Sequence, residues 1–364
     1  MSHSNPRTHG FTLLELMVTL AVSLIIVGSA LMAAQSFLTS QYGQTRKNEL
    51  DIQIAMGQVI LDRALTNAGA VFPDARYAVH IRPNVVAGTT LPGGTGSAPA
   101  PVPVTTFGSA SAGILEGTDV IEVAYRSPIS KAPARGVGTV QTVLTGAVRL
   151  TSNDPFLAGE GVAPVLTLLF TDSQGTGCLA SVTSWDGISQ AGVTWLNDDY
   201  ASTAVSATCP VVGMSVYALD TRQRFMIYQT AGGQGLGLYL QDNLTAGVPD
   251  LTGAFGPPKL VAGGVEDLQV MERIINTNST CGTPYCTCDD SPTPSCVVDS
   301  NHVSLQEAVR GFNITLVGKG NQSVRLSGGR RPAVYDHAAG PTDNLFHAVG
   351  EQSLYAINLA LTNL

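Results

Sequence analysis

The feature that most constrains this chain is an apolar stretch close to its amino terminus, at residues 11–38. These residues are almost all Leu, Val, Ile, Ala, Met and small hydroxyl residues, and the only formal charge is Glu15. A helix needs about 20 apolar residues to span a bilayer, so the stretch is long enough. A charge within such a span costs about 2.5–3.5 kcal/mol on insertion scales. Glu15 is therefore a candidate functional residue.

The residues on either side of the stretch predict an orientation. Residues 1–10 carry Arg7 and two histidines and no acid, whereas Arg46 and Lys47 on the far side stand beside Glu49 and Asp51. Positive charge is enriched in cytoplasmic segments. We therefore expect the amino terminus to be cytoplasmic and the bulk of the chain to lie outside.

The junction Gly10-Phe11-Thr12-Leu13-Leu14-Glu15 resembles the class III signal of type IV prepilins, in which a leader ending in Gly precedes a hydrophobic helix. The resemblance implies that residues 1–10 are a leader, which prepilin peptidase removes between Gly10 and Phe11. It also implies N-methylation of Phe11 and pairing of Glu15 with the Phe11 ammonium of a neighbouring subunit, which sets the axial register.

Three other interpretations of the stretch fit less well. A secretory signal has a short apolar region followed by an A-x-A-like site, but the best such site, Gly28-Ser29-Ala30, lies inside this stretch. A plain membrane anchor explains the length but neither Glu15 nor the Gly-Phe junction. A buried core helix would be shorter.

Beyond the stretch, the pattern predicts an α+β fold. Apolar residues at three- and four-residue steps continue to Ala68, and Gly69 and Pro73 follow, so one helix is expected over residues 11–70. Short β-type segments then fill residues 71–364, the expected extracytoplasmic head domain. Helix first and strands afterwards, without βαβ alternation, predicts a long helix packed on a mainly antiparallel sheet.

Three finer predictions concern this head domain. Residues 88–113 have no charge and are rich in Gly and Pro, which indicates an exposed loop insert. Residues 276–302 are a second predicted loop insert. Residues 214–219 and 224–229 are predicted to form a β-hairpin.

Six cysteines lie far beyond the apolar stretch. In an exported domain an even number indicates disulfides. Zinc is the alternative, but the spacing of the last four lacks the paired C-x2-C pattern of structural zinc sites. Three pairings are possible among those four, and the first two then form a pair by exclusion. The six are Cys178, Cys209, Cys281, Cys286, Cys288 and Cys296.

Composition and motifs favour a structural protein over an enzyme. Charged residues make up 13% of the 364 residues, the net charge is −8, and Arg330-Arg331 is the main basic cluster, so nucleic-acid binding has no electrostatic support. The sequence has no nucleophile elbow, Walker A, H-E-x-x-H or dinucleotide motif. The acidic pairs Asp198-Asp199 and Asp289-Asp290 lack the D-x-D-x-D spacing of a calcium loop. We expect no cofactor and no metal.

Within the pilin superfamily, three segments resemble the PilW-type minor pilins. They are residues 264–270 (Gly-Val-Glu-Asp-Leu-Gln-Val), residues 307–317 and the closing residues 354–364. This resemblance implies a structural minor pilin that acts in pilus initiation or at the tip. The implied partners are other major and minor pilins, prepilin peptidase, the inner-membrane assembly platform and, before assembly, membrane lipid. A type II secretion pseudopilin of the J-like kind and a membrane-anchored adhesin remain alternatives.

Overall fold

The structure is a computed structural model in which part of the chain is described. The described residues are 12–68, 79–82, 84–91, 102–106, 109–125, 138–151, 167–171, 177–185, 189–195, 212–219, 221–233, 235–242, 244–245, 248–249, 255–275, 285–288, 309–320 and 347–355.

One long helix, α1, runs from Leu13 to Ala68. It is the single helix that the apolar spacing predicts, and it crosses the boundary between two compact units, Met1–Glu49 and Leu50–Leu364. In the first unit its large apolar side chains are exposed. In the second unit one face of the helix is buried. The predicted α+β fold is confirmed, since the rest of the described chain consists mainly of antiparallel strands.

The strands are numbered in chain order. They are β1 (Val79–Arg82), β2 (Thr90–Leu91), β3 (Val102–Thr105), β4 (Gly113–Leu115), β5 (Val120–Tyr125), β6 (Gly138–Leu144), β7 (Ala147–Leu150), β8 (Thr167–Thr171), β9 (Gly177–Trp185), β10 (Gln190–Trp195), β11 (Ser215–Leu219), β12 (Thr221–Gln229), β13 (Gly237–Asp242), β14 (Leu244–Thr245), β15 (Val248–Pro249), β16 (Lys259–Gly263), β17 (Val265–Ile275), β18 (Tyr285–Cys288), β19 (Val309–Lys319) and β20 (His347–Tyr355).

An eight-stranded sheet is built around β12. On one side β12 pairs with β5 and then with β4, and on the other side with β13, which is followed by β16. Strands β1, β3 and β2 extend the sheet, and β3–β4 is a parallel pair. Because side chains alternate along a strand, Ile121 and Phe225 lie on one face, and Glu122 and Arg224 on the other.

A second, four-stranded sheet has the order β18-β17-β19-β20. The chain passes from the first sheet into the second at Gly264, between β16 and β17. Gly264 has φ +72°, a left-handed conformation that glycine adopts without strain. Its amide donates to the Leu236 carbonyl and its carbonyl accepts from the Lys319 amide. The two sheets are therefore joined by hydrogen bonds on both sides of this corner.

A closed six-stranded antiparallel barrel lies between β5 and β12 in the chain, with the order β10-β7-β6-β11-β8-β9. Its interior is filled by apolar side chains, among them Val148, Leu168, Phe170 and Val216, all 0% exposed. The barrel is thus a packed core and not a pore. The sequence pattern alone does not predict it.

The second half of α1 covers both sheets. Leu50, Ile54, Leu61 and Leu65 belong to one buried cluster with residues of the two sheets. Glycines allow this close approach: a Cβ atom on Gly318 would lie 2.8 Å from Leu50 Cδ1 and 2.9 Å from Ile54 Cδ1. Each fully buried Leu or Ile side chain contributes about 1.5–3 kcal/mol of transfer free energy. Residues 50–68 of the helix are therefore an integral part of the domain core.

Two predictions for the head domain are wrong. The predicted hairpin of residues 214–219 and 224–229 does not exist, because β11 pairs with β6 and β8 in the barrel, whereas β12 belongs to the first sheet. Only residue 220 separates these two strands, and a hairpin loop needs about two residues.

The predicted loop inserts are also wrong in part. Within residues 88–113, β2 and β3 place Leu91, Val102 and Val104 in a buried cluster. Within residues 276–302, β18 pairs with β17. The Gly and Pro content of these segments predicted loops. Gly and Pro indicate turns, but short strands with apolar residues can form between the turns.

Candidate functional site

The amino-terminal end of α1 is closed by two residues, Thr12 and Glu15. The Glu15 amide donates to Thr12 Oγ1 at 3.3 Å, and Glu15 Oε2 accepts from the Thr12 amide at 3.1 Å and from the Thr12 hydroxyl at 3.1 Å. This reciprocal arrangement is a capping box, in which Thr12 is the N-cap and Glu15 the third helical residue. It satisfies donors that a helix otherwise leaves without a partner.

The capping box gives Glu15 a local role that the sequence analysis did not consider. The Thr-x-x-Glu spacing of a capping box is visible in the sequence, but the resemblance to prepilins implied a different role for Glu15, the intersubunit charge pair. The two roles are compatible, because a carboxylate has about four acceptor sites and both bonds from Thr12 go to Oε2. The partial positive charge at a helix amino terminus also favours a carboxylate there.

The helix beyond the cap has the composition of a membrane span. Its most apolar 18-residue window has a mean hydropathy of 2.4 and none of it is buried in the structure. Within the described residues, this is the one helix long and apolar enough to cross a membrane. Leu14, Leu24 and Met32 are 73–74% exposed, so the surface offered to the surroundings is apolar.

Hydroxyl groups on this apolar helix bond back to its own backbone. Thr19 Oγ1 donates to the Glu15 carbonyl at 2.8 Å, Ser29 Oγ to Ile26 at 2.8 Å and Thr39 Oγ1 to Gln35 at 2.8 Å. Polar groups in hydrocarbon must be satisfied internally because no water is present. These hydroxyls are therefore tolerated in an apolar environment.

The remaining predicted site residues are only partly within the described chain. Gly10 and Phe11, the predicted cleavage and methylation positions, lie outside it, as do Cys209, Cys281 and Cys296. The backbone of Cys178 is in β9, and Cys286 and Cys288 are in β18. Their side chains are not described, so the disulfides stay a prediction.

The sequence predicts no metal site, although two acidic pairs were considered as calcium ligands and set aside. The acidic pairs at residues 198–199 and 289–290 also lie outside the described residues. Among the residues that are described, no group of three or more His, Cys, Asp or Glu side chains could hold a metal ion.

A buried charge cluster on the first sheet was missed by the sequence analysis. Glu122, 0% exposed, lies at the centre: its Oε1 is 2.6 Å from both Arg224 Nε and Arg224 Nη2. Arg82 Nε is 3.5 Å from Oε1, and Arg222 Nη2 is 3.8 Å from Oε2. These residues tie β1, β5 and β12 together on the face opposite α1.

An aromatic ring covers two of these arginines. The guanidinium carbon of Arg224 is 4.1 Å from the Phe255 ring centroid, and that of Arg222 is 5.0 Å away. Cations over a ring face are attracted by its quadrupole. A sequence signal existed, because Glu122 stands alone in the apolar segment Val-Ile-Glu-Val-Ala, but a single sequence does not show which arginines lie beside it.

Comparison with known proteins adds one match. A family model described as the prokaryotic N-terminal methylation motif matches residues 5–31. No curated protein and no solved structure gives a match. The matched residues include the Thr12–Glu15 cap and the first part of the exposed apolar helix. The motif and the helix together support a type IV pilin-like protein that is processed as a prepilin.

Proposed function

We propose that this chain is a structural minor pilin of the PilW type, which is held in the inner membrane by α1 before assembly and is then incorporated into a type IV pilus. The observation that carries the proposal is the methylation motif at residues 5–31, which coincides with a capped, exposed, apolar helix. Its mechanism is assembly and not catalysis.

The amino-terminal half of α1 supplies the assembly surface. In the membrane its exposed apolar side chains contact lipid, and in the filament they contact the helices of other pilins. After cleavage, Phe11 carries a new amino group, and Glu15 of an adjacent subunit is its partner. An unpaired charge in an apolar interior is costly, so the pairing favours one axial register over others.

The large head domain supports a place at the tip or in an initiation complex, because its bulk fits poorly within a uniform shaft. Two segments that resemble PilW-type minor pilins lie next to each other. Residues 264–270 form the Gly264 corner and the start of β17, and residues 307–317 include most of β19, which pairs with β17.

The experiment that tests the proposal is mass spectrometry of the amino-terminal peptide from native membranes and from sheared filaments. We expect a peptide that begins at N-methylated Phe11 in both fractions. An intact Met1, or a start after Ala30, would refute prepilin processing and favour an anchored or secreted binding protein.

Variants separate assembly from insertion. Glu15→Ala is expected to be cleaved and inserted in the membrane but absent from filaments. Glu49→Ala is the matched control, because Glu49 is an exposed acid on the same helix with an ion pair to Arg46 at 3.1 Å. Normal incorporation of Glu15→Ala would remove the proposed role of Glu15.

Two observations separate the alternatives. A J-like pseudopilin of type II secretion would be processed in the same way, but its loss would block protein secretion and leave pili intact. A membrane-anchored adhesin would stay in the membrane fraction and would tolerate Glu15→Ala.

A further inference from the structure

The barrel of β6–β11 is inserted into the first sheet at a single point. Strand β5 ends at Tyr125 and β12 begins at Thr221, and these two residues are register partners in the antiparallel pair β5–β12. The pairing continues without interruption from there to Phe225 and Ile121. The chain therefore leaves the sheet and returns to it on neighbouring strands, as it would at a hairpin turn.

Each strand of the barrel has its backbone hydrogen-bonding partners within the barrel. Each of its six strands pairs with two others of the same barrel, and every pair is antiparallel. A closed barrel leaves no edge strand. Within the described residues, its backbone ladder needs no strand from the two open sheets.

The barrel also has its own apolar core. Ten buried residues between Val140 and Val216 form one cluster, and none of them belongs to the clusters around α1 or on the opposite face of the first sheet. Independent folding units are recognised by a separate core and by a boundary that few contacts cross.

We infer that residues 126–220 are a self-contained inserted module, which the remainder of the head domain does not need in order to fold and which the protein does not need for assembly. The chain then holds two separable parts: α1 with the two open sheets, which carries assembly, and the barrel, whose role lies outside assembly. The assembly part of this inference rests on the proposed function.

The small entropy cost of closing a long loop explains why the sheet tolerates such an insertion. The cost of closing a loop rises only slowly with its length, by about 0.6 kcal/mol for each doubling. Insertions are tolerated where the chain can be opened without breaking buried contacts. Here the pairing of Tyr125 with Thr221 is the boundary, and the cores on its two sides share no described residue.

The first test removes the module from the full chain. Residues 126–220 are replaced by Asn-Gly, which forms the two-residue turn that suits adjacent antiparallel strands. The control keeps the barrel and carries the same dipeptide inserted after Tyr125. We expect the excised protein, purified in detergent, to unfold cooperatively and to resist protease like the control. Loss of cooperative unfolding or rapid proteolysis of the excised protein alone overturns the inference.

The second test uses matched Phe→Ala variants in the intact protein. Phe170 is in the barrel core and Phe225 is in the core under α1, and both are 0% exposed. The two tryptophans of the chain, Trp185 and Trp195, are in β9 and β10, so tryptophan fluorescence reports on the barrel. Hydrogen exchange of β12 peptides reports on the first sheet.

We expect Phe170→Ala to lower the denaturant midpoint of the fluorescence transition and to leave β12 exchange unchanged. Phe225→Ala should do the reverse, because distant sites without shared partners act independently. If each variant shifts both probes to a similar extent, the barrel and the sheet unfold as one unit and the inference is wrong.

Incorporation into sheared filaments tests the assembly part separately. The excised protein and the control are expected there in similar amounts. If the control is incorporated and the excised protein is not, the barrel is needed for assembly. If neither the control nor the wild type is found in filaments, the proposed function fails, while the folding measurements still decide whether the module is independent.

Discussion

The capping box and the proposed charge pair make different demands on Glu15, and three variants separate them. Glu15→Gln keeps an oxygen that accepts from the Thr12 amide, since Gln serves in a capping box as Glu does, but it removes the charge. Thr12→Ala removes the hydroxyl that accepts from the residue 15 amide and keeps the charge. Glu15→Ala removes the charge and the two hydrogen bonds that Glu15 Oε2 accepts, but keeps the bond from the residue 15 amide to Thr12 Oγ1. Comparison of the variants therefore separates the effect of the capping bonds on incorporation from the effect of the charge.

The magnitudes follow from the geometry. Thr12 makes three hydrogen bonds with Glu15, and replacing a Thr N-cap by Ala costs about 0.5–2 kcal/mol. Removing one partner of a buried charge pair costs about 3–5 kcal/mol. Since about 1.4 kcal/mol is tenfold in an equilibrium, Glu15→Gln should reduce incorporation by more than about 100-fold. The cap bonds lie within one helix and persist in both environments, so Thr12→Ala should change the membrane-normalised incorporation far less.

The assay is competition within one cell. Wild type and variant are expressed together, and their ratio in sheared filaments is divided by their ratio in membranes, which corrects for processing and insertion. Incorporation of Glu15→Gln at the wild-type level, with Thr12→Ala and Glu15→Ala both impaired, would refute the charge pair and leave capping as the role of Glu15.

Three further outcomes concern the head domain, each measured by denaturant unfolding of the purified protein. Leu61→Ala should lower the free energy of unfolding by about 2–5 kcal/mol, because Leu61 is 0% exposed. Val59→Ala, at a site 66% exposed, should change it by less than about 0.5 kcal/mol. Equal effects would contradict the assigned inner face of α1. Glu122→Gln should cost about 3–5 kcal/mol, because it leaves the buried Arg224 guanidinium facing a neutral amide, and a neutral result would mean that the cluster is not held by this charge. Burial raises the pKa of Tyr228, and burial together with a smaller effect of repulsion from Tyr228 raises the pKa of Tyr239. As the pH rises above about 10, the unfolded chain loses these protons before the folded protein does, so the free energy of unfolding should fall. The fall should be smaller in Tyr228→Phe than in the wild type.

The long helix and the α+β class could be predicted because their signals are local. Apolar residues at steps of three and four, followed by Gly69 and Pro73, indicate a helix and its end without reference to any other part of the chain. In the described residues α1 extends from Leu13 to Ala68. The cap at Thr12 was equally local, and it was missed because Glu15 was considered only as a charge in an apolar segment.

The barrel and the buried charge cluster could not be predicted because they depend on pairing between distant strands. Alternation along β11 and β12 indicates two strands but not their partners. Closeness in sequence favoured a hairpin, while the partner of Thr221 is Tyr125, on the far side of the whole insertion. The same long-range pairing places Arg224 opposite Glu122, so the cluster becomes visible only once the register is known.

The hydroxyl groups that bond back along α1 have a consequence for how the subunit moves. Thr19, Ser29 and Thr39 hold their hydrogen bonds within the helix, so a change of surroundings from lipid tails to neighbouring protein breaks none of these bonds. For these groups, transfer between the two environments exchanges one set of apolar contacts for another of similar strength. These three hydroxyls therefore add no hydrogen-bond cost to the transfer of the helix from bilayer to filament that the proposed assembly requires.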